Sequence, residues 1–263
     1  MPTIFSNYNT SPQIIRSSDN ILINADFRTP INQRSFVSGA LADGIYGIDR
    51  WKANGASNIT IGTSLTINSG AIEQIVEDPQ LNGVEVTISA LSGTATGTFD
   101  GQAFTVSSTA STTITVGNTG NITCKLTAAS SLAALKIEYG PNATPYQPRP
   151  HAEERDLCMR YFERILGTTG GGNWYEGAYF ITANNVHATF TFTTVKRVKP
   201  SSSVSGLDVF SNAVAQQTGF SFVVSDSSDN AIRVTATKTA HGLTAGSVIR
   251  LSTGGIIDVD SEL

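Results

Sequence analysis

The sequence predicts an all-β chain, and three observations carry that expectation. Short apolar runs of alternating polarity recur about every ten residues, with Gly, Asn or Asp between them. Charged residues fill only 14% of the 263 positions, against about 25% in an average soluble domain. Ser, Thr, Gly and Asn stand in their place, and these residues suit strands and turns. No long helical pattern alternates with the strands, which argues against Rossmann and TIM-barrel architectures. The spacing points to an antiparallel sandwich or jelly roll.

Residues 1–20 are polar, contain Pro2 and Pro12, and show no sustained period. They read either as a flexible arm that a partner orders or as an ordinary frayed terminus. Strand signals begin with ILINADF from Ile21, and YGIDRW (46–51) places Trp51 after Asp49 and Arg50. Trp51 is expected in the core, with Asp49 and Arg50 as a structural ion pair. Runs at 58–67, 71–77, 84–91, 103–107, 112–116, 121–127 and 132–140 continue the pattern. In VEVTISA, alternation places Val84, Val86 and Ile88 on one face and Glu85, Thr87 and Ser89 on the other. GPNATPYQPRP then sets four prolines in eleven residues, so it should run extended along a surface and mark a domain boundary.

HAEERDLCMRYFERIL follows, and its spacing predicts the chain's one helix, over 151–166. Leu157, Cys158, Tyr161, Phe162, Ile165 and Leu166 would form one apolar stripe. Glu153, Glu154 and Asp156 suit the helix start, Asp156 and Arg160 can pair at i, i+4, and Gly167 can stop the helix. After the glycine-rich GTTGGGNWYEG come further short strands. In HATFTFTTV, His187, Thr189, Thr191 and Thr193 face one way, and Ala188, Phe190 and Phe192 the other.

The net charge of −4 gives no electrostatic case for nucleic acid. No apolar run approaches the about 20 residues of a membrane span. The start of the sequence lacks a signal-peptide pattern, so synthesis and retention in a cytoplasm until export are expected. Cys124 and Cys158 lack any metal-site spacing and read as buried free thiols, with a disulfide as the minor alternative. His151, His187 and His241 show no HExxH or GxSxG context and read as surface or turn residues. Glu73, Glu77 and Asp78 form an acidic cluster, which suggests a glycosidase pair. Paired catalytic carboxylates usually come from different strands, however, so a solvated face is the expectation. The glycine-rich loop lacks the Lys-Ser/Thr of a P-loop. Trp174 and Tyr175 of this loop and Tyr179 at the start of the next strand suit stacking on sugar rings, or alternatively packing over the helix or between subunits. Asn9, Asn58, Asn121 and Asn142 begin N-x-S/T triplets, which arise by chance in so hydroxyl-rich a chain.

Several segments resemble bacteriophage tail fibre and receptor-binding proteins. NILINADFRTPINQR with YGIDRW resembles the opening of their carbohydrate-binding-module-like jelly roll, and AIEQIVEDPQLNGVEVTISAL its middle strands. LKIEYGPNATPYQPRPHAEERDLCMRYFERI resembles its exit into a short helix. TVKRVKPSSSVSG and DVDSEL resemble the C-terminal β domain that follows in many such proteins. The resemblance implies an N-terminal jelly-roll β-sandwich (21–148), a proline-rich strap and linking helix (149–166) and a C-terminal β-sandwich (167–263). It implies a non-enzymatic virion protein, homotrimeric, assembled in the host bacterial cytoplasm and meeting host cell-surface polysaccharide. Residues 1–20 would attach it to tail or baseplate proteins through Ile4, Phe5 and Tyr8. Leu157, Tyr161, Phe162 and Ile165 become the candidate oligomer contacts. Related jelly rolls often carry a structural calcium held by an acidic residue just after an opening Gly-Phe or Asp-Phe. Arg28 stands there in this chain, leaving Asp26 as the candidate ligand, and no other cofactor is implied. The alternative reading is an architectural collar, neck or decoration protein using the same β domains for protein contacts.

Overall fold

The structure, a computed structural model, describes residues 20–77, 79–166, 175–182, 185–207, 209–211, 214–217, 219–239, 249–251 and 255–262. It is mostly β, built of antiparallel sheets, with one short helix among the described residues. The chain forms two compact units. The first comprises residues 1–30, 37–46 and 51–149; the second comprises 31–36, 47–50 and 150–263. Two short pieces inside the stretch expected to be jelly roll therefore belong to the second unit.

The first unit runs β1 (Gly39–Leu41), β2 (Lys52–Ile61), β3 (Leu65–Val76), β4 (Glu85–Ala90) and β5 (Thr94–Phe99). It continues with β6 (Gln102–Ser107), β7 (Thr112–Thr115), β8 (Ile122–Ser130) and β9 (Leu135–Tyr139). One sheet has the order β1-β2-β3-β8-β5-β6, and the other β7-β4-β9. Alternation explains the buried face of β8, where Ile122, Cys124 and Leu126 are buried while Thr123 is exposed. Trp51 is buried as expected. Its ring centre lies 5.5 Å from that of Phe27, and its indole N–H donates to the Asn24 carbonyl at 2.9 Å. Central strand β4 departs from simple alternation, because Thr87 is buried beside Val86 and Ile88. Its hydroxyl donates to the Gly140 carbonyl at 2.6 Å, so the chain leaving β9 covers that polar face.

The second unit holds α1 (His151–Met159), β10 (Phe162–Leu166), β11 (Tyr175–Thr182), β12 (Asn185–Thr191) and β13 (Ser201–Ser205). Then come β14 (Val209–Ser211), β15 (Val214–Gln217), β16 (Ser221–Ser227), β17 (Ala231–Thr237), β18 (Ile249–Leu251) and β19 (Ile256–Asp260). One sheet is β10-β19-β13; the other is β15-β14-β18-β11-β12-β17-β16. A single apolar cluster draws on both, with Val186, Ala188 and Phe190 of β12 meeting Ile257 and Val259 of β19. The expected faces of β12 hold: Ala188 and Phe190 are buried, while Thr189 and Thr191 are exposed.

The helix is shorter than its periodicity predicts. It ends at Met159, where the Tyr161 amide closes a tight turn on the Cys158 carbonyl, and Phe162–Leu166 is a strand. The cause is tertiary: β19 takes the segment as a ladder partner, pairing Phe162 with Asp260 and Leu166 with Ile256. Aromatic and branched residues suit that role, and strand pairing overrides a helical pattern of this length. Leu157, Tyr161, Phe162 and Ile165 therefore do not share one helical stripe. Tyr161 and Phe162 are buried within the second unit.

Candidate functional site

Separated pieces of the second unit meet around Tyr161 and Phe162. Pairing of β10 with β19 sets Arg164 opposite Asp258, and the guanidinium grips the carboxylate with two bonds of 2.6 and 2.7 Å. That bond holds Arg164 above its usual pKa. Gln33 lies under the same strand. Its amide donates to Asp49 at 2.7 Å and to the Phe162 carbonyl at 2.8 Å. The Arg34 guanidinium sits 3.6 Å above the Phe162 ring and donates to Asp260 at 3.2 Å. Arg50 sits 3.5 Å above the Tyr161 ring and forms a buried ion pair with Glu262. Ser261 bridges back, its amide donating to the Tyr161 carbonyl at 2.7 Å. On the other side of β10, Glu163 takes Lys196 at 2.6 Å and the Thr193 hydroxyl at 2.7 Å, and Lys196 also donates to the Met159 carbonyl at 2.5 Å.

Burial dominates the electrostatics of this cluster. It pushes the Asp49 carboxyl up to about 6, raises Glu262 and lowers Lys196. Each of these groups nevertheless faces a partner: Gln33 for Asp49, Arg50 and Arg34 for Glu262, Glu163 for Lys196. The cluster ties separated pieces of the second unit together, and a cavity of about 320 Å³ lined by His151, Arg155, Asp156, Met159 and Thr193 adjoins it.

The residues singled out for chemistry are dispersed. Tyr175 and Tyr179 lie on β11, whose backbone pairs Tyr175 with Leu251 and Tyr179 with His187. Trp174, Asp78, His241 and the anchor candidates Ile4, Phe5 and Tyr8 lie outside the described residues. Glu73 on β3 pairs with Lys52 at 3.5 Å and accepts from Asn54 at 2.6 Å, so ordinary strand neighbours hold it. His187 places its Nδ1 2.9 Å from the Thr235 hydroxyl, and His151 begins α1. Cys124 and Cys158 are free and buried, one in each unit.

The surroundings of Asp26 do not fit calcium. Arg28 donates to both of its carboxylate oxygens, at 2.8 and 2.6 Å, and that bond raises the Arg28 pKa. Among the described residues no group of three acidic, His or Cys side chains gathers to complete an oxygen shell.

A groove in the first unit was not visible from composition or motif. It has a volume of about 380 Å³, and its walls are the end of β4, the β6–β7 turn and the strap after β9. Ser89, Leu91, Ser108, Ser111, Pro145 and Tyr146 are among its lining, and no charged side chain lines it. The strap wall is fixed from behind. Lys136 and Glu138 on β9, both fully buried, pair at 2.9 Å. Thr144 enters this pair, its hydroxyl accepting from Lys136 at 2.6 Å and donating to Glu138 at 2.5 Å. The Thr144 amide also donates to Glu138 at 2.8 Å. In LKIEY, alternation would have left Lys136 and Glu138 on a solvated face; the proline strap directly after them was the available cue that something covers it. Arg28, held by Asp26, lies 5.7 Å from the centre of the Tyr146 ring.

No protein-family model matches the chain, and no curated protein matches it. Fold and geometry describe an antiparallel β protein with an ion-paired lock in one unit and a neutral, hydroxyl-lined groove in the other.

Proposed function

We propose that the chain is a structural subunit of a bacteriophage tail, a tail fibre or receptor-binding protein, that attaches the particle to glycans on the host cell surface without catalysis. The observation that carries this reading is the groove of the first unit. An uncharged concavity lined by hydroxyls and one aromatic residue, Tyr146, matches the chemistry of a saccharide. The disposition of acidic groups supports binding rather than hydrolysis. Among the described residues the carboxyls raised by burial, Asp49 and Glu262, belong to the ion-paired lock, and Glu73 is held by Lys52 and Asn54.

The same reading takes the first unit as a jelly roll. Successive strands β3 and β4, and again β8 and β9, lie in different sheets, and such crossings between two faces support it. The subunit is a homotrimer in this proposal, with residues 1–20 attached to the tail and weak sites made firm by avidity. Purified full-length protein should be retained on host cells and on polysaccharide extracted from their envelopes. Retention on neither, with the protein folded and oligomeric, would overturn the adhesin reading in favour of an architectural virion role.

A further inference from the structure

The groove in the first unit allows its ligand class to be narrowed, in an inference that rests on the adhesin reading above. We propose that this groove is a glycan subsite selective for neutral saccharide units, discriminating against uronic acids, sialic acids and phosphorylated sugars.

Three features lead there. The first is that the hydroxyls of Ser89, Ser108 and Ser111 line the groove and make no side-chain hydrogen bond within the protein among the described residues. Each offers a donor and acceptors, which is what a neutral sugar hydroxyl requires of a partner. The second is that the apolar surface is small and local: Leu91 is exposed, and Pro145 and Tyr146 supply flat apolar faces on the strap. A saccharide has the same mixture, with apolar C–H faces bounded by hydroxyls.

The third feature decides the charge. Lys136, the cation bonded to Thr144 of the strap wall, is fully buried and committed to Glu138 and Thr144, and Arg28 by Tyr146 is neutralised by Asp26. An acidic sugar entering the groove would lose hydration without gaining a cation, and an uncompensated charge is disfavoured in such a place. A neutral sugar has no such cost. The Lys136–Glu138–Thr144 bonds set the strap before any ligand arrives, so binding need not order that wall.

The test measures binding of the full-length protein to neutral polysaccharides (a glucan, a mannan and a galactan) and to acidic ones (alginate and polysialic acid). At least one neutral polymer should bind, and the acidic polymers at least tenfold more weakly. Ser108→Trp, which fills the groove, and Tyr146→Ala, which removes the aromatic residue of its lining, should each weaken neutral binding at least tenfold. Hydrogen exchange of the unmodified protein with the bound neutral polymer should show protection at 107–111 and 143–146, a readout that needs no variant. Unchanged binding in both variants with no protection there would overturn the subsite and leave the adhesin reading standing. Preference for acidic polymers would overturn the neutral selectivity. Failure to bind any polysaccharide or host cell would overturn both this inference and the reading beneath it.

Discussion

Arg50 and Glu262, 212 positions apart in sequence, form a buried ion pair in the second unit, with the Arg50 guanidinium stacked 3.5 Å above the Tyr161 ring. Removing one member leaves a buried charge with its best partner gone, which costs about 3–5 kcal/mol. Glu262→Ala should therefore destabilise the second unit by that order in a urea titration. Arg50→Met combined with Glu262→Leu should cost clearly less than the sum of the two single changes, because neither member of the pair is then stranded and Arg34 keeps Asp260. Strict additivity would contradict the coupling.

One hydroxyl bridges the strap of the first unit to both members of the buried Lys136–Glu138 pair. Thr144 both accepts from Lys136 and donates to Glu138, so Thr144→Val keeps the shape and removes both bonds. A loss of about 1–3 kcal/mol is expected, with faster proteolysis and amide exchange confined to 141–149. A uniform rise in exchange across the first unit would mean instead that the strap does not move by itself.

Gly97 stands at the register shift between β5 and β8, where a Cβ would lie 1.9 Å from the Lys125 carbonyl oxygen. Backbone cannot yield as a side-chain tip can, so Gly97→Ala should destabilise the first unit by more than about 2 kcal/mol. Gly62, which has nothing within 4 Å of such an atom, provides the matched control. Equal thermal midpoints for the two variants would refute the close approach.

Both cysteines should be chemically silent in the folded protein. Burial raises the Cys124 and Cys158 thiols well above their ordinary range, which removes the reactive thiolate. A chromogenic disulfide reagent should find no reactive thiol before denaturation and both afterwards. Rapid reaction of Cys158 alone would show that α1 opens from the second unit.

How much of this was legible in the sequence follows from the range of the forces involved. Period-two patterns are local, so most strands of the first unit and the two faces of β12 could be read directly. However, β5 was missed, the run 58–67 spans the turn between β2 and β3, and ILINADF forms bends with one isolated bridge in place of the expected strand. The segment FERIL could not, because its helical spacing is real and only the distant β19 makes it a strand. The lock was not legible: its pieces fall in segments that resemble fibre proteins, and nothing in them says that they meet, although burial of Trp51 in the first unit followed from its type. Arg50, however, takes Glu262 as an ion-pair partner, a choice made by the fold at long range. The groove left no sequence trace, since serines in a serine-rich chain carry no signal until a turn and a strap bring them together.

Asp49 provides a pH test of the lock. Its carboxyl titrates at about 6 in the folded protein against an ordinary value of 3.8, because burial opposes its charge more than Gln33 and Arg34 support it. The folded state thus holds this proton more tightly than the unfolded chain does. Stability from Asp49 is gained as pH falls through about 6 toward 4, and lost as pH rises over the same range. The shift corresponds to a span on the order of 3 kcal/mol. Glu262 is raised in the same direction and adds its own slope, so the comparison must be with Asp49→Asn, which retains Glu262. Asparagine can still accept from Gln33, and any loss in its geometry appears as an offset that does not vary with pH. Urea titrations from pH 4.5 to 7.5 should show wild-type stability of the second unit falling relative to Asp49→Asn, with the steepest divergence at about pH 5, between the two values, and a levelling-off above about pH 6. Parallel curves would mean that Asp49 stays ionised throughout, and that Arg34 and Gln33 outweigh its burial.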